Sequence, residues 1–263
     1  MGYGSSKPSR VMTTAVPTYA HRIVSLVPSL TELICDLDLA DSLVARTGFC
    51  IHPKDILRSI PKVGGTKDVD VEAVKALQPT HLIVNVDENR KEVVDELRPH
   101  VGEVVVTHPL GPLDNLELYQ RFGEIFGRQD QARRLCDEFR AVMPGAIPNR
   151  PVERVLYLIW RDPWMTVSCD TYISRMLAAF GWQTWVSSRS QRYPTLELAE
   201  CHDAIDRVLL SSEPYPFRQK HIAEIEDQLP GIPVQLIDGE MVSWYGSRAI
   251  AGLRYLRDFT ATP

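Results

Sequence analysis

The chain has 263 residues, of which 44% are hydrophobic and 24% are charged, a composition typical of globular proteins and unlike collagen, disordered chains or disulfide miniproteins. The 29 Lys and Arg against 34 Asp and Glu give a net charge of -5, which argues against binding to a nucleic-acid backbone. Charges or prolines interrupt every apolar run before the roughly 18 residues that a spanning helix needs, so we expect no membrane-spanning segment.

Cysteine usage and the first residues bear on the cellular compartment. The five cysteines are odd in number and form no CxxC pair, so reduced thiols are expected rather than a disulfide framework or a zinc site. Residues 1–22 contain no apolar core of the length that a secretory signal requires. The predicted location is therefore cytoplasmic for the sequence as written, and periplasmic if an export leader has been removed.

Strand and helix patterns alternate along the first part of the chain. Residues 21–27 are a β-branched run, and the apolar spacing over 30–37 predicts a helix capped by Ser29, with Glu32 completing a capping box. The further predicted elements are a strand at 44–49, a helix at 71–77, a strand at 82–86, a helix at 90–97 and a strand at 104–106. This alternation indicates a parallel sheet with helices on its faces.

A helical connector follows this first unit. Residues 113–126 and 129–143 have helical spacing and are separated by Gly127, and the three prolines of 144–151 are typical of a linker. The chain then repeats the first plan, with a strand at 155–159, a helix at 172–180, a strand at 208–210, a helix at 219–229 and a strand at 234–237.

The order of elements in the two halves is similar enough to align them. We therefore predict an α/β fold in which two Rossmann-like α/β lobes are joined by a long interdomain helix, with a ligand cleft between the lobes. The predicted boundaries are 21–110 for the N-terminal lobe, 111–150 for the connecting helices and 151–263 for the C-terminal lobe. Such a cleft suggests the capture of a small molecule.

Aromatic residues concentrate in the second half. All five tryptophans, six of the nine tyrosines and three of the seven phenylalanines follow residue 150, whereas Phe49 is the one aromatic residue between 21 and 110. Many of the late ones lie in three loops that follow predicted strands, and these loops contain Trp160, Trp164, Tyr215, Phe217, Trp244 and Tyr245. Aromatic loops at one sheet edge favour a flat, partly apolar ligand, although packing between the lobes would also explain them.

Catalytic and metal motifs are missing from the sequence. It contains no GxSxG, Walker, GxGxxG or HExxH motif, so an enzyme is disfavoured. A direct metal-ion receptor remains an alternative, with His52, His108 or Glu240 as ligands across the cleft. An enzyme that acts on a bound cofactor is a second alternative, with Asp162, Glu213 and Arg248 as its polar groups. A third is an interaction module whose own side chains fill the cleft.

Several strings resemble the class III substrate-binding proteins of ABC transporters, also called helical-backbone metal receptors, and within them the cobalamin-binding branch. In the first half these strings are the strand, Pro-Ser turn and helix over 23–39, followed by PKVGGTK at 61–67 and LQP at 77–79. In the second half they are YLIWRDPW at 157–164, LSSEPYPF at 210–217 and DGEMVSWYGSR at 238–248.

The resemblance implies a rigid two-lobed receptor without enzymatic activity. The implied ligand is cobalamin or a related corrinoid, with haem or a ferric siderophore as alternatives, held by aromatic stacking on its faces and by polar groups at its amide-fringed rim. The implied contacts from the first lobe are Phe49, Thr66 and Lys67. Those from the second lobe are Trp160, Trp164, Tyr193, Glu240 and Trp244, with Glu213, Ser243 and Arg248 as the polar groups at the rim. The aromatic loops add Tyr215, Phe217 and Tyr245 as predicted contacts.

The resemblance also implies an ABC permease as partner. Family members carry one surface glutamate on each lobe for docking, and the matching positions here are Glu72 and, by the alignment of the two halves, Glu197, with Glu200 competing. Either glutamate would equally be explained as an acid placed near a helix N-terminus. We expect a monomer.

Overall fold

The computed structural model describes residues 21–145, 151–186 and 191–261. The strands in this part of the chain are β1 (Ile23–Ser25), β2 (Leu43–Arg46), β3 (His81–Asn85), β4 (Glu103–Thr107), β5 (Glu153–Trp160), β6 (Met165–Thr166), β7 (Trp182–Thr184), β8 (Arg207–Ser211) and β9 (Val234–Ile237). The helices are α1 (Pro28–Asp36), α2 (Lys54–Leu57), α3 (Val71–Ala76), α4 (Lys91–Leu97), α5 (Asp114–Phe126), α6 (Gln129–Val142), α7 (Tyr172–Ala178), α8 (Lys220–Gln228), α9 (Gly239–Ser243) and α10 (Arg248–Ala261).

Two sheets form the two lobes, and their strand orders correspond. The first sheet has the order β2-β1-β3-β4, with every pair parallel. In the second sheet, β5 pairs in parallel with β8 on one side and β7 on the other, and β9 follows β8. The order β7-β5-β8-β9 in the second sheet corresponds to β2-β1-β3-β4 in the first, so the two-lobed α/β fold is confirmed. The additional strand β6 pairs antiparallel with the end of β5.

The connector differs from a single long helix. It consists of α5 and α6, which pack against each other. The break lies at Gly127, whose φ of 66° is in the left-handed region that ends α5 and that glycine adopts without strain. On its other side α6 contacts α10 of the second lobe. The two helical segments predicted at 113–126 and 129–143 are therefore present as α5 and α6, and they do not form one continuous interdomain helix.

One apolar core runs through both lobes. The residues of β1 alternate, since Ile23 faces this core and Val24 faces a separate cluster on the outer side of the first sheet. In the second lobe Tyr157 of β5 faces the common core and Leu156 faces an outer cluster. The helices α1, α5, α6 and α10 lie between the inner sheet faces and contribute to the common core. This continuous packing limits movement of one lobe against the other.

The start of α1 and the end of the chain differ from the predictions. The helix α1 begins at Pro28, with Val27 at the cap position and no capping side chain, so the Ser29 cap is wrong. Proline suits the first helical position because its missing N–H needs no partner there. The helix α10 was not predicted, although buried Ile250, Leu253 and Leu256 have helical spacing.

Candidate functional site

A cleft of about 500 Å³ lies between the lobes, within the usual range for small-molecule sites. Its walls include residues at or just beyond the C-terminal ends of β1, β3 and β8, namely Pro28, Asn85 and Glu213. Ligand sites in open α/β sheets lie at such strand ends. Seven of the fourteen predicted ligand contacts line this cleft: Phe49, Thr66, Tyr193, Glu213, Ser243, Trp244 and Tyr245. Their role in binding stays a prediction.

Aromatic rings form the walls of the cleft from both sides. Phe49 of the first lobe is 62% exposed, and its ring lies so close to Gly65 that a Cβ there would be 3.2 Å from Cε2. Tyr193 of the second lobe is also exposed, whereas Trp244 and Tyr245 are buried. Exposed rings from each lobe and buried rings beside them can cover a flat apolar ligand.

Two carboxyl groups from opposite lobes lie in the same cleft. Glu88 accepts a hydrogen bond from the Tyr245 hydroxyl at 2.6 Å. Glu213 accepts hydrogen bonds from the Ser243 hydroxyl at 2.7 Å and from Trp244 Nε1 at 2.9 Å. The pKa of each carboxyl is raised, mainly by burial, and that of Glu88 reaches about 7. The hydrogen bonds oppose these shifts, and the charge of Glu213 adds to the shift of the Glu88 pKa.

A group of charged side chains joins the lobes beside the cleft. Arg192 of the second lobe lies 3.1 Å from the Asp87 carboxylate of the first lobe. His108 Nε2 lies 3.3 Å from the same carboxylate. Lys67, a predicted ligand contact, does not line the cleft, because its ammonium donates to the Asp87 carbonyl oxygen at 2.8 Å.

Four predicted contacts pack with one another in the second lobe instead of lining the cleft. Trp160 contacts Tyr215 edge-on, Tyr215 contacts Phe217, and Phe217 stacks with Trp164 at 6.2 Å. Arg161 covers Trp164 and is held by Glu224 through Nε and Nη2. These four rings lie around the ends of β5 and β8 and do not line the cleft, and their role in ligand binding stays a prediction. Packing of the loops against one another accounts for these four aromatic side chains.

The predicted contacts Glu240 and Arg248 belong to an ion network between the lobes. Arg248 donates to both carboxylate oxygens of Glu32 in α1, at 2.7 and 2.8 Å, and lies 3.3 Å from Glu240. Glu240 is also 2.9 Å from His52 Nε2 of the first lobe, and Trp244 packs against both His52 and Arg248. Neither Glu240 nor Arg248 lines the cleft, because each is occupied by a protein partner.

In the described part of the chain, the residues named for the two chemical alternatives have other partners. Within residues 21–145, 151–186 and 191–261, no group of three or more His, Cys, Asp or Glu is placed to hold a metal ion. His108 pairs with Asp87 and so does not join His52 and Glu240. Of the candidate enzyme groups, Asp162 pairs with Arg161, and Arg248 pairs with Glu32.

The predicted docking glutamates differ in their local structure. Glu72 lies in the first turn of α3, and its exposed carboxylate accepts from Lys75 at 2.7 Å. Glu197 is exposed and precedes a single 3-10 turn at Leu198–Glu200, not the helix that the alignment of the halves predicts. The helix-terminus explanation therefore applies to Glu72 and not to Glu197.

Three charged cleft residues were missed by the sequence analysis. Asp87 and Glu88 follow β3 directly, at the strand end where the fold predicts ligand contacts, so their position was a usable signal. Arg192 lies outside any element, and nothing in the sequence around it marks it.

Comparisons with known proteins agree with this geometry. A vitamin B12-binding protein of Vibrio campbellii is 23% identical over 220 residues, which are 81% of this chain and 78% of that protein. The high-affinity heme uptake system protein IsdE of Staphylococcus aureus is 26% identical over 182 residues, which are 65% of this chain and 60% of that protein. The structure of the periplasmic vitamin B12 binding protein BtuF of Vibrio cholerae has a TM-score of 0.76 at 16% identity, covering 93% of this chain and 99% of that one.

The family match covers most of the two lobes. The family described as periplasmic binding protein matches residues 23–223, from β1 into α8. The two vitamin B12 relatives are named as binding proteins. Among the described residues, no helix combines the length and the apolar character of a membrane span. The two-lobed fold, the cleft between the lobes and the sequence match agree: this chain belongs to the periplasmic binding protein family.

Proposed function

We propose that the chain is a non-enzymatic receptor for a large, metal-centred macrocycle, cobalamin or a related corrinoid, held in the cleft by its aromatic walls. The observation that carries this proposal is the cleft of about 500 Å³ with exposed rings, Phe49 and Tyr193, contributed by opposite lobes. Stacking on both sides of a flat ligand requires such an arrangement. Relatives named for vitamin B12 and for heme support this ligand class.

The charge of the cleft favours a corrinoid over haem. Among the described residues, the charged side chains of the lining are Asp87, Glu88, Glu213 and Arg192, and Arg192 is already paired with Asp87. Haem carries two propionate groups, which need cations to replace their water. A corrin ring is fringed by neutral amides, which donate hydrogen bonds to carboxyl groups such as Glu213.

Phe49 provides a test of the binding site that leaves the fold intact. We expect Phe49→Ala to weaken cyanocobalamin binding about 10- to 100-fold, because it removes one stacking face. The ring is largely exposed, so the free energy of unfolding should stay unchanged. Trp244 lines the cleft, so binding can be followed by quenching of tryptophan fluorescence. Trp244→Ala is a poorer variant because it also removes a buried ring.

Leu113→Ala is the matched control, since Leu113 is 59% exposed and does not line the cleft. Titrations with cyanocobalamin, haemin and a ferric siderophore should give saturable quenching with the corrinoid at the lowest concentration. The proposal is contradicted if all three leave the fluorescence unchanged, or if the Phe49 and Leu113 variants bind equally well.

We also propose that the receptor acts in the periplasm and delivers its ligand to an ABC permease through Glu72 and Glu197. Burial explains how four of the five cysteines persist unpaired in an oxidising compartment, because it raises the pKa of the thiols, to about 12 for Cys35 and about 11 for Cys201; Cys169 is exposed. Fractionation of the native host should recover the chain with periplasmic markers. Recovery with cytoplasmic markers would overturn this part of the proposal.

A further inference from the structure

The first lobe contains a second cavity, of about 510 Å³, beside the ligand cleft. We call it the cationic pocket; its lining is Arg46, Gly48, Cys50, Ile51, His52, Lys54, Leu57, Arg58 and Lys62. Four of these residues carry a permanent positive charge, and none is a carboxylate. The four cations come from different elements: Arg46 ends β2, Lys54 lies in α2, and Arg58 and Lys62 follow α2. The fold therefore brings together cations that are separated in sequence.

Arg46 provides a buried charge at this pocket. Its side chain is fixed by backbone carbonyls: Nε and Nη2 donate to Leu57 O at 3.1 and 2.8 Å, and Nη1 donates to Thr47 O at 3.0 Å and Cys50 O at 2.9 Å. The residue is 6% exposed and has no carboxylate within ion-pair distance in the described part of the chain. Carbonyl dipoles satisfy its hydrogen bonds but leave its charge uncompensated.

The other cations of the pocket are available to a ligand. Lys54, Arg58 and Lys62 are exposed, and within the described ranges none of them forms an ion pair. The carboxylate nearest to His52 is Glu240, which already pairs with Arg248. Like charges around one cavity repel each other, and an oxyanion placed among them would relieve that repulsion.

The pocket and the cleft are neighbours with opposite electrostatic character. Gly48 and Ile51 line both cavities, so the two cavities are adjacent. The charged residues that line the cleft are three carboxyl groups and one paired arginine, whereas the charged residues that line the pocket are all cations. A ligand with a neutral body and an anionic arm would match this division of charge.

We propose that the cationic pocket is a binding site for a phosphate-class oxyanion, either free phosphate or the phosphodiester arm of the molecule held in the cleft. Guanidinium and ammonium groups are the side chains that bind phosphate oxygens most strongly. Free phosphate binding does not depend on the proposed function, whereas the ligand arm does.

The test uses inorganic phosphate and the whole chain without any cleft ligand. Broadening of the 31P resonance is measured at constant ionic strength, balanced with sodium chloride. We expect saturable binding by the native chain and at least about tenfold weaker binding by the double variant Arg58→Glu, Lys62→Glu. Both positions are exposed, so the fold should be retained; Arg46 is left intact because it is buried.

The control is Arg98→Glu, Lys220→Glu, which changes the net charge equally at two exposed cations outside the pocket. It should bind phosphate within about twofold of the native chain, since long-range charge effects are screened by salt. The site is refuted if the native chain gives no saturable broadening, or if the two double variants lose binding to the same extent.

A second measurement distinguishes the two sources of the oxyanion. Cyanocobalamin carries a phosphodiester arm, and dicyanocobinamide lacks it. If the arm occupies the pocket, Arg58→Glu, Lys62→Glu weakens cyanocobalamin alone, and phosphate competes with it. Equal affinities of both corrinoids for the variant and the native chain assign the pocket to free phosphate. If neither corrinoid binds, the proposed function fails while the phosphate result still stands.

Discussion

Replacing Arg248 by methionine is expected to lower the free energy of unfolding by about 2 to 4 kcal/mol. Arg248 joins the lobes through two hydrogen bonds to Glu32, and the two side chains are 11% and 17% exposed. Methionine keeps an apolar stem but removes the charge, so Glu32 and Glu240 lose their common cation in a poorly solvated place. The loss of unfolding free energy comes mainly from leaving these carboxylates poorly solvated without Arg248, and less from the lost attraction between Arg248 and Glu32.

Urea unfolding followed by circular dichroism measures this loss. Arg257→Met, in the same helix α10, is the control, because its ion pair with Asp258 is largely exposed and should contribute less than about 1 kcal/mol. The double variant Glu32→Gln, Arg248→Met should recover part of the stability, since it removes one stranded charge. A loss at Arg248 no larger than at Arg257 would show that this contact does not hold the lobes together.

Contacts of this kind explain why the lobes form one body. The common core runs through α1, α5, α6 and α10, and Tyr119 of α5 donates to Gly246 O of the second lobe at 2.8 Å. Asn115 of α5 accepts from Gly246 N at 2.7 Å. Lobes that are joined by such hydrogen bonds and a common core keep the cleft between them nearly fixed, which reduces the conformational entropy lost on ligand binding.

The spacing of apolar residues and the positions of glycine and proline were sufficient to predict the two-lobed α/β fold. Short β-branched runs followed by helical spacing gave the parallel sheets, and Gly127 marked the break in the connector. The contacts that the sequence did not indicate depend on partners distant in sequence. Arg248 was expected at the ligand, but its partner Glu32 lies 216 residues away, and no local pattern indicates that pairing.

The aromatic loops show the same limit for the candidate site. Their position after strands correctly indicated the sheet edge, and Trp244 and Tyr245 do line the cleft. Trp164 and Phe217, predicted by the same argument, stack on each other and do not line the cleft. Whether a loop aromatic packs inward or faces a ligand depends on the neighbouring loop, and sequence alone does not show how two loops meet.

Glu88 gives the clearest dependence of stability on pH. Its pKa is about 7 in the folded chain, raised mainly by burial from an ordinary value of 4.5. The folded state therefore binds more protons than the unfolded state between these values, so the contribution of Glu88 to stability is complete below about pH 4.5. It is lost as the pH rises through 7, because ionisation then occurs in a poorly solvated place.

Glu88→Gln removes this dependence and should stabilise the chain by about 1 to 3 kcal/mol at pH 8, with little effect near pH 4.5. The glutamine oxygen can still accept from Tyr245, so the variant resembles the protonated carboxyl. Unfolding free energies over pH 4.5 to 8 measure the difference, with Glu92→Gln, at an exposed position of α4, as the control. A pH-independent difference, or one that shrinks towards pH 8, would show that Glu88 ionises normally. A stabilising variant would mean that the cleft keeps a costly carboxyl, which is expected where ligand contacts are selected over stability.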